Sequence, residues 1–384
     1  MPGFMCETKQ FPKSQMYFSN NVKKYSSHRK THPHISHHVH HDIYCPLLSD
    51  LPDDVAKNCL ALVPRSNFPA MGVVCKQWRS FIQSKDFITV RKQIRKLEEW
   101  LYTLTADTKG KGSHWEVLDC VGNKYQRLPQ MPGPQKAEFG VVVINGKLLV
   151  MGGYLVDEGT GCVSPAVYEY HSCLNRWIML SNMNVARYDF ACTEVNGLVY
   201  AVGGHGVGGE SLSSAEVYNP EKNEWILIES LRRPRWGCFA YEFKGKVYIM
   251  GGRSSFTIGN SRFVDIYDPE THSWCEVKNG CVMVTTHAVL GNKLFCMEWK
   301  NQRKLAIFDS DDCLWKTVPV PVTGSSRIRF QFGIIDEKLL LFSMEEEPGY
   351  RTLMYDPNAA PGLEWQTSAI KPSGSCLCSV TIKA

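Results

Sequence analysis

Apolar residues are sparse and without period over residues 1–44, recur every three or four residues from Leu47 to about Trp100, and then alternate in short runs to the C-terminus. The first stretch predicts a disordered tail, the second (45–100) a small group of helices, and the third (101–384) an all-β domain. Asp50, Leu51-Pro52 and Asp53-Asp54 supply a cap, an early proline and an acidic first turn, so a helix is expected to start there. Val55, Cys59, Leu60 and Val63 mark one apolar face, Pro64 interrupts it, and Val73, Val74, Trp78, Phe81 and Ile82 form a second. Phe87, Val90, Ile94, Leu97 and Leu101 continue the spacing between charged residues and predict an amphipathic helix leading into the β domain. About 55 residues of helix bury little by themselves, so this module needs a partner or the neighbouring domain to complete its core.

The β region has a period. Gly152-Gly153, Gly203-Gly204 and Gly251-Gly252 are spaced by 51 and 48 residues, each pair closing an apolar run such as Lys147–Met151, Leu198–Val202 or Lys246–Met250. A tryptophan follows each pair, at Trp177, Trp225 and Trp274, and the series continues at Trp315 and Trp365, where the glycines have decayed to Met297-Glu298 and Ser343-Met344. Tyr125 takes the tryptophan's place in a sixth, incomplete copy. Each copy offers four short strands, with Asx-Pro turns such as Asn219-Pro220 and Asp268-Pro269 before the tryptophan strand. Four-stranded units of about 50 residues are the signature of propeller blades, which predicts six blades over residues 101–384. The first copy has no inner strand, while a spare strand remains at Cys376–Ile382. That C-terminal strand is expected to enter the first blade and close the ring.

Charge changes the picture mainly at the N-terminus. The net charge of +5 arises from six Lys/Arg against two Asp/Glu over residues 1–46, nine against six over 47–100 and 28 against 30 thereafter. A near-neutral β domain lacks the dense basic stripe of a nucleic-acid-binding surface. Fifteen cysteines, with no CxxC pair, read as thiols in a reducing compartment, and Cys376 and Cys378 as neighbours on one face of a strand. No run approaches a membrane span and the N-terminus lacks a signal-peptide core, so the expected location is cytoplasmic and/or nuclear. The tail holds seven of the twelve histidines, between His28 and His41, without a Cys or carboxylate partner at fixed spacing, and no metal or cofactor site is assigned.

Both folded regions resemble known families. Leu51-Pro52-Asp53-Asp54, Cys59-Leu60, Val63-Pro64 and Val74-Cys75-Lys76-Gln77-Trp78-Arg79-Ser80-Phe81-Ile82 resemble an F-box, and the ordered Gly-Gly, Tyr and Trp resemble kelch repeats. Together they are similar to the F-box/kelch-repeat proteins abundant in plants. The resemblance implies a six-bladed kelch-type β-propeller behind a small all-α F-box module and a disordered N-terminal tail. It also implies a non-catalytic substrate-recognition subunit of an SCF-type (Skp-cullin-F-box) ubiquitin ligase. The F-box would dock on a Skp-type adaptor, and through it on cullin, with Leu51, Pro52, Leu60, Val63, Pro64, Val74 and Trp78 as contacts; some of these could serve the module's own core instead.

The propeller would hold an unidentified protein substrate, on the side where the loops between strands two and three and between successive blades emerge. Lys136, Arg187, Arg235 and Arg327 each lie ten residues before the glycine, or its equivalent, of a second strand. Such a basic ring could clamp acidic residues of a target or, as in kelch repeats generally, brace loop carbonyls. Arg232, Arg233, Trp236 and Arg253 complete the expected substrate contacts. Neither nucleic acid nor membrane is an expected partner. A non-degradative scaffold is the alternative. A copper-radical oxidase, which some kelch propellers are, would need converging Tyr and His ligands and a Cys–Tyr cross-link, whereas His205, His272 and His287 look isolated in the sequence.

Overall fold

The helical period folds as four short helices: α1 (Asp53–Ala61), α2 (Phe68–Val74), α3 (Lys76–Ile82) and α4 (Lys85–Gln93). The computed structural model describes residues 46–384 apart from 108–111, 123, 157–161, 255–256, 261, 279–283, 299–302, 312–313, 323–328 and 345–351. The tail 1–44 and Arg327 therefore lie outside the described residues. Asp50 does not cap α1: it adopts φ 65°, and Pro52 occupies the cap position with Asp53 and Asp54 in the first turn. The two later helices do carry caps, the Cys75 Sγ accepting from the Trp78 amide at 3.4 Å and the Ser84 Oγ from the Phe87 amide at 3.3 Å.

The helix expected to run to Leu101 stops at Gln93. Arg95 takes φ 55° and the Lys96 amide donates back to the Arg91 carbonyl at 2.8 Å, a left-handed stop made without glycine. Glu99–Ala106 is then already a strand, buried on both faces from Trp100 to Thr105.

Among the described residues the β region forms six blade sheets, each with a four-stranded meander, and a separate two-stranded ribbon of Lys136–Ala137 with Tyr154–Leu155. Blade 1 runs Ser375–Lys383, Glu99–Ala106, Ser113–Leu118 and Lys124–Arg127 from the inside outward, so the C-terminal strand supplies its innermost member. Blade 2 spans Gly140–Leu180, blade 3 Ala191–Ile228, blade 4 Trp236–Lys278, blade 5 Val284–Pro319 and blade 6 Phe330–Thr367. Blade 4 carries one extra short strand, Thr257–Asn260.

Repeated side chains stitch one blade to the next. The indole N–H of Trp177 donates to the Pro129 carbonyl (2.9 Å), that of Trp225 to Ser181 (3.1 Å) and that of Trp274 to Glu229 (2.7 Å). Each indole, buried at Trp177 and Trp225 and half-buried at Trp274, thereby satisfies its polar atom on the preceding blade's end. The tyrosines donate within their own turns, Tyr170 to Asn175 (2.8 Å) and Tyr218 to Asn223 (2.9 Å), both asparagines having positive φ. The diglycine is required by space as well as by φ. A Cβ on Gly203 would stand 2.4 Å from the Arg235 carbonyl oxygen, to which the next residue, Gly204, donates its amide at 2.7 Å.

The expected common face for Cys376 and Cys378 is corrected by a bulge. Cys378 pairs with Leu104 and Cys376 with Thr105, leaving Leu377 over, so Cys376 packs with Leu101, Leu118 and Ile370 while Cys378 joins the core beneath the helices. Burial pushes the Cys378 thiol up to about 12 and that of Cys376 well above its usual value.

Candidate functional site

The helical module has two faces of different character. One is sealed onto the propeller: Leu60, Ala61, Phe68, Phe81, Ile82 and Phe87 share a continuous core with Trp100, Tyr102, Leu148, Tyr170 and Ile382. Arg91, fully buried, donates to the carbonyls of Ala61 and Val63 at 2.7 Å each, closing the open end of α1 and its extension, and pairs with Glu98 at 3.0 Å. Glu98 also accepts from the Arg65 amide (3.1 Å) and the Trp100 indole (3.2 Å), and its backbone exchanges hydrogen bonds with Ala384 at 2.9 and 3.1 Å. Arg65 reaches the Tyr102 hydroxyl (2.9 Å) and the Ile382 carbonyl (3.3 Å). Module and ring are one packed unit, joined through the chain's last residues.

Away from that core the module exposes aliphatic side chains: Leu51 (39% exposed), Val55 (40%), Leu62 (55%), Val73 (72%) and Val74 (59%). Of the expected adaptor contacts, Leu51, Pro52, Pro64 and Val74 are on the surface. Leu60 is not: its side chain is buried in the shared core. Val63 and Trp78 are half-buried against that core, and the Trp78 indole donates to the Leu47 carbonyl at 2.6 Å. Val55, Leu62 and Val73 belong with the exposed set. Val55 and Val73 had stood in the sequence as members of apolar faces, but only packing distinguishes an inward from an outward aliphatic on helices this short.

Of the two readings of the basic ring, its described members Lys136, Arg187 and Arg235 take the brace, so Arg187 and Arg235 are not surface contacts for a substrate. The Arg187 side chain is fully buried, bonded to the Gly203 carbonyl (2.8 Å), the Ser214 carbonyl (3.0 Å) and the fully buried Glu216 (2.9 Å). Arg235 likewise bonds the Ile249 (3.0 Å) and Phe263 (2.6 Å) carbonyls and pairs with Asp265 at 2.9 Å. In blade 2 the same place holds Lys136 over the Tyr168 ring at 4.9 Å, and Tyr168 stands where Glu216 and Asp265 stand in the next repeats. Burial lowers Lys136 to about 8. Arg187 and Arg235 are spent on carbonyls and carboxylates of the following repeat and Lys136 on the Ser164 hydroxyl and the Tyr168 ring.

Arg232, Trp236 and Arg253 do reach the surface, while Arg233 is tied to Glu276 (3.4 Å) and to the Phe263 ring at 4.4 Å. Trp236 and Arg253 are cross-strand partners, the guanidinium 5.5 Å from the ring centre. They end a row that sequence reading missed: Trp236 to His205 at 4.6 Å, His205 stacked on Tyr188 at 5.0 Å, and Tyr188 edge-on to Tyr154 at 5.3 Å. The four rings come from blades 2, 3 and 4 at repeating places, Tyr154 and His205 directly after a diglycine and Tyr188 and Trp236 directly after Arg187 and Arg235. The row lines an open pocket of about 530 Å³ together with Glu138 and Asp189. The glycine-rich loop Gly203–Gly209 beside it is filled by its own Glu210, whose carboxylate accepts from the Gly208 amide at 2.8 Å. Among the described residues, no group of three or more His, Cys, Asp or Glu is arranged to hold a metal.

Residues 48–89 match the F-box domain family, and residues 136–184, 186–232 and 242–280 match the Kelch motif, which are blades 2 to 4. The Arabidopsis thaliana F-box/kelch-repeat protein At1g67480 is 60% identical over 339 residues, 88% of this chain and 90% of that protein. A second F-box/kelch-repeat protein of that plant, At1g27420, is 41% identical over 348 residues, 88% of this chain and 97% of its own length. The chain belongs to the F-box/kelch-repeat family.

Proposed function

We propose that this chain is the non-catalytic substrate receptor of an SCF-type ubiquitin ligase in the cytoplasm and/or nucleus, its F-box docking on a Skp-type adaptor and through it on cullin, and its propeller holding a protein for ubiquitin transfer. The observation that carries this reading is the uncovered aliphatic face of Leu51, Val55, Leu62, Val73 and Val74, on a module whose opposite face is sealed to the ring. Exposed apolar side chains grouped in this way gain by burial against a partner, at about 25 cal/mol per Å² removed from water.

The topology supports the division of labour. The F-box enters at the start of the second strand of blade 1 and packs near the one–two and three–four turns of blades 2 and 3, at Asn145-Gly146, His171-Ser172 and Pro220-Glu221. The two–three loops and inter-blade linkers, with the aromatic row, emerge at the other end of the strands. An adaptor and a substrate can thus be held together without competing for surface.

The test is co-purification of the full chain with a Skp-type adaptor and cullin, beside a Leu51→Ala, Pro52→Ala variant of unchanged circular dichroism. Native capture of both partners and loss of both by the variant is the expected result. Capture of adaptor without cullin would replace the ligase reading with a scaffold.

A further inference from the structure

The aromatic pocket has a charge that the sequence did not suggest. Glu138 and Asp189 line it with Tyr154, Tyr188, His205 and Trp236, and the Asp189 amide donates to the Glu138 carbonyl at 2.9 Å, holding the two residues side by side. Neither carboxylate has an ion pair or a side-chain hydrogen bond among the described residues. The basic side chains nearest in sequence are committed elsewhere, Lys136 to Ser164 and Tyr168, Arg187 to Glu216 and Arg235 to Asp265. Glu138 and Asp189 occupy one place in the repeat, two residues after Lys136 and Arg187, with φ of 54° and 52°; the next repeat has Gly237 there at φ 61°. Burial and the neighbouring Glu138 push Asp189 up to about 7. The row itself already accepts one cation, the Arg253 guanidinium over Trp236.

We propose that this pocket receives a basic side chain, arginine foremost, of the protein that the propeller holds, its cation set among the aromatic rings and paired with Glu138 and Asp189. The proposal rests on the substrate-receptor reading and fixes the substrate's chemistry at this point as basic, opposite to the acidic target that a ring of exposed arginines would have selected. A planar, weakly hydrated guanidinium suits such a site because it stacks on rings and bonds carboxylates through its edge.

The experiment is ¹⁹F NMR on the full chain labelled with 5-fluorotryptophan, the Trp236 resonance being identified by its loss in Trp236→Phe. The probes are acetyl-Gly-Arg-Gly-amide, its neutral citrulline isostere and its glutamate counterpart. The arginine peptide should shift the Trp236 signal saturably, with the citrulline peptide about tenfold weaker and the glutamate peptide without effect. Glu138→Gln with Asp189→Asn should erase the preference without lowering the melting temperature, since asparagine tolerates the left-handed backbone at 189 and two unpaired charges are removed. Equal shifts from the arginine and citrulline peptides, or a preference for glutamate, would overturn the proposal. Adaptor binding measured on the same preparations separates the two readings: its loss from the native chain strikes the receptor function, whereas a failed arginine titration with adaptor binding intact strikes only this pocket.

Discussion

Arg187 illustrates how a residue can be legible in position and illegible in role. Its ten-residue spacing from a repeat glycine located it in the sequence, but spacing carries no sign of which way a guanidinium points, and Glu216, its counter-charge, lies in the following repeat. Removing one member of a fully buried pair strands the other, so Arg187→Ala should cost about 3–5 kcal/mol in chemical denaturation, whereas Arg187→Met combined with Glu216→Leu should cost far less. Near-equal losses for the single and double variants would show that the pair is not the brace described. The glycines make a second contrast. Gly203→Ala meets the Arg235 carbonyl oxygen at φ 66°, whereas Gly209→Ala, at φ 75°, meets nothing within 4 Å. The first should lose more than about 2 kcal/mol and the second about 1 kcal/mol, the strain of the backbone alone. Asp189 offers a titration. Held near 7 by burial first and Glu138 second, it is increasingly protonated below that pH, so affinity for the arginine peptide should fall from pH 8 to 6. Glu138, His205, Tyr154, Tyr188 and the buried Cys238 share its surroundings, with Arg235 and Arg253 as the nearby cations, so the same titration on Asp189→Asn isolates its part.

At the scale of elements, the repeat was readable because its markers do physical work in blades 2 to 4: glycine where carbonyl oxygens crowd the backbone, tryptophan where an indole reaches the previous blade's end. Six blades and the closing C-terminal strand followed from them. The misread stretch was the end of α4, where Leu97 and Leu101 prolong a helical spacing although the chain has already turned at Arg95. A left-handed stop is normally signalled by glycine, and that clue is absent at Arg95, although Trp100–Leu104 was legible as the second strand of the first blade. The seam between helices and blades contains a buried titratable group, His171, pushed down to about 4 by burial and by the nearby Lys147 and Arg176. Its folded value lies below the unfolded 6.5, so its contribution is present above pH 6.5 and is lost as pH falls toward 4. Thermal melts should show a steeper loss between those limits for the native chain than for His171→Gln, by up to about 3 kcal/mol. Parallel curves would mean that the imidazole is not confined as described.

For the whole molecule, the joint between module and ring matters as much as either part. Ala384 and Ile382 bond to Glu98 and Arg65, so the strand that closes blade 1 also seats the F-box. Deleting residues 375–384 should therefore destabilise the ring and weaken adaptor binding together, a coupling that independent domains would not show. The aromatic pocket lies at the end of the blades away from the turns on which the module packs, an arrangement that follows from the module preceding the second strand of blade 1. The most direct measurement is a calorimetric titration of a Skp-type adaptor into the full chain and into Val55→Asp with Val73→Asp, two exposed positions whose replacement leaves the shared core intact. Saturable one-to-one binding by the native chain, abolished in the variant at unchanged melting temperature, is the predicted result. A native chain that does not bind, or a variant that binds equally well, would contradict the assignment of that face to an adaptor.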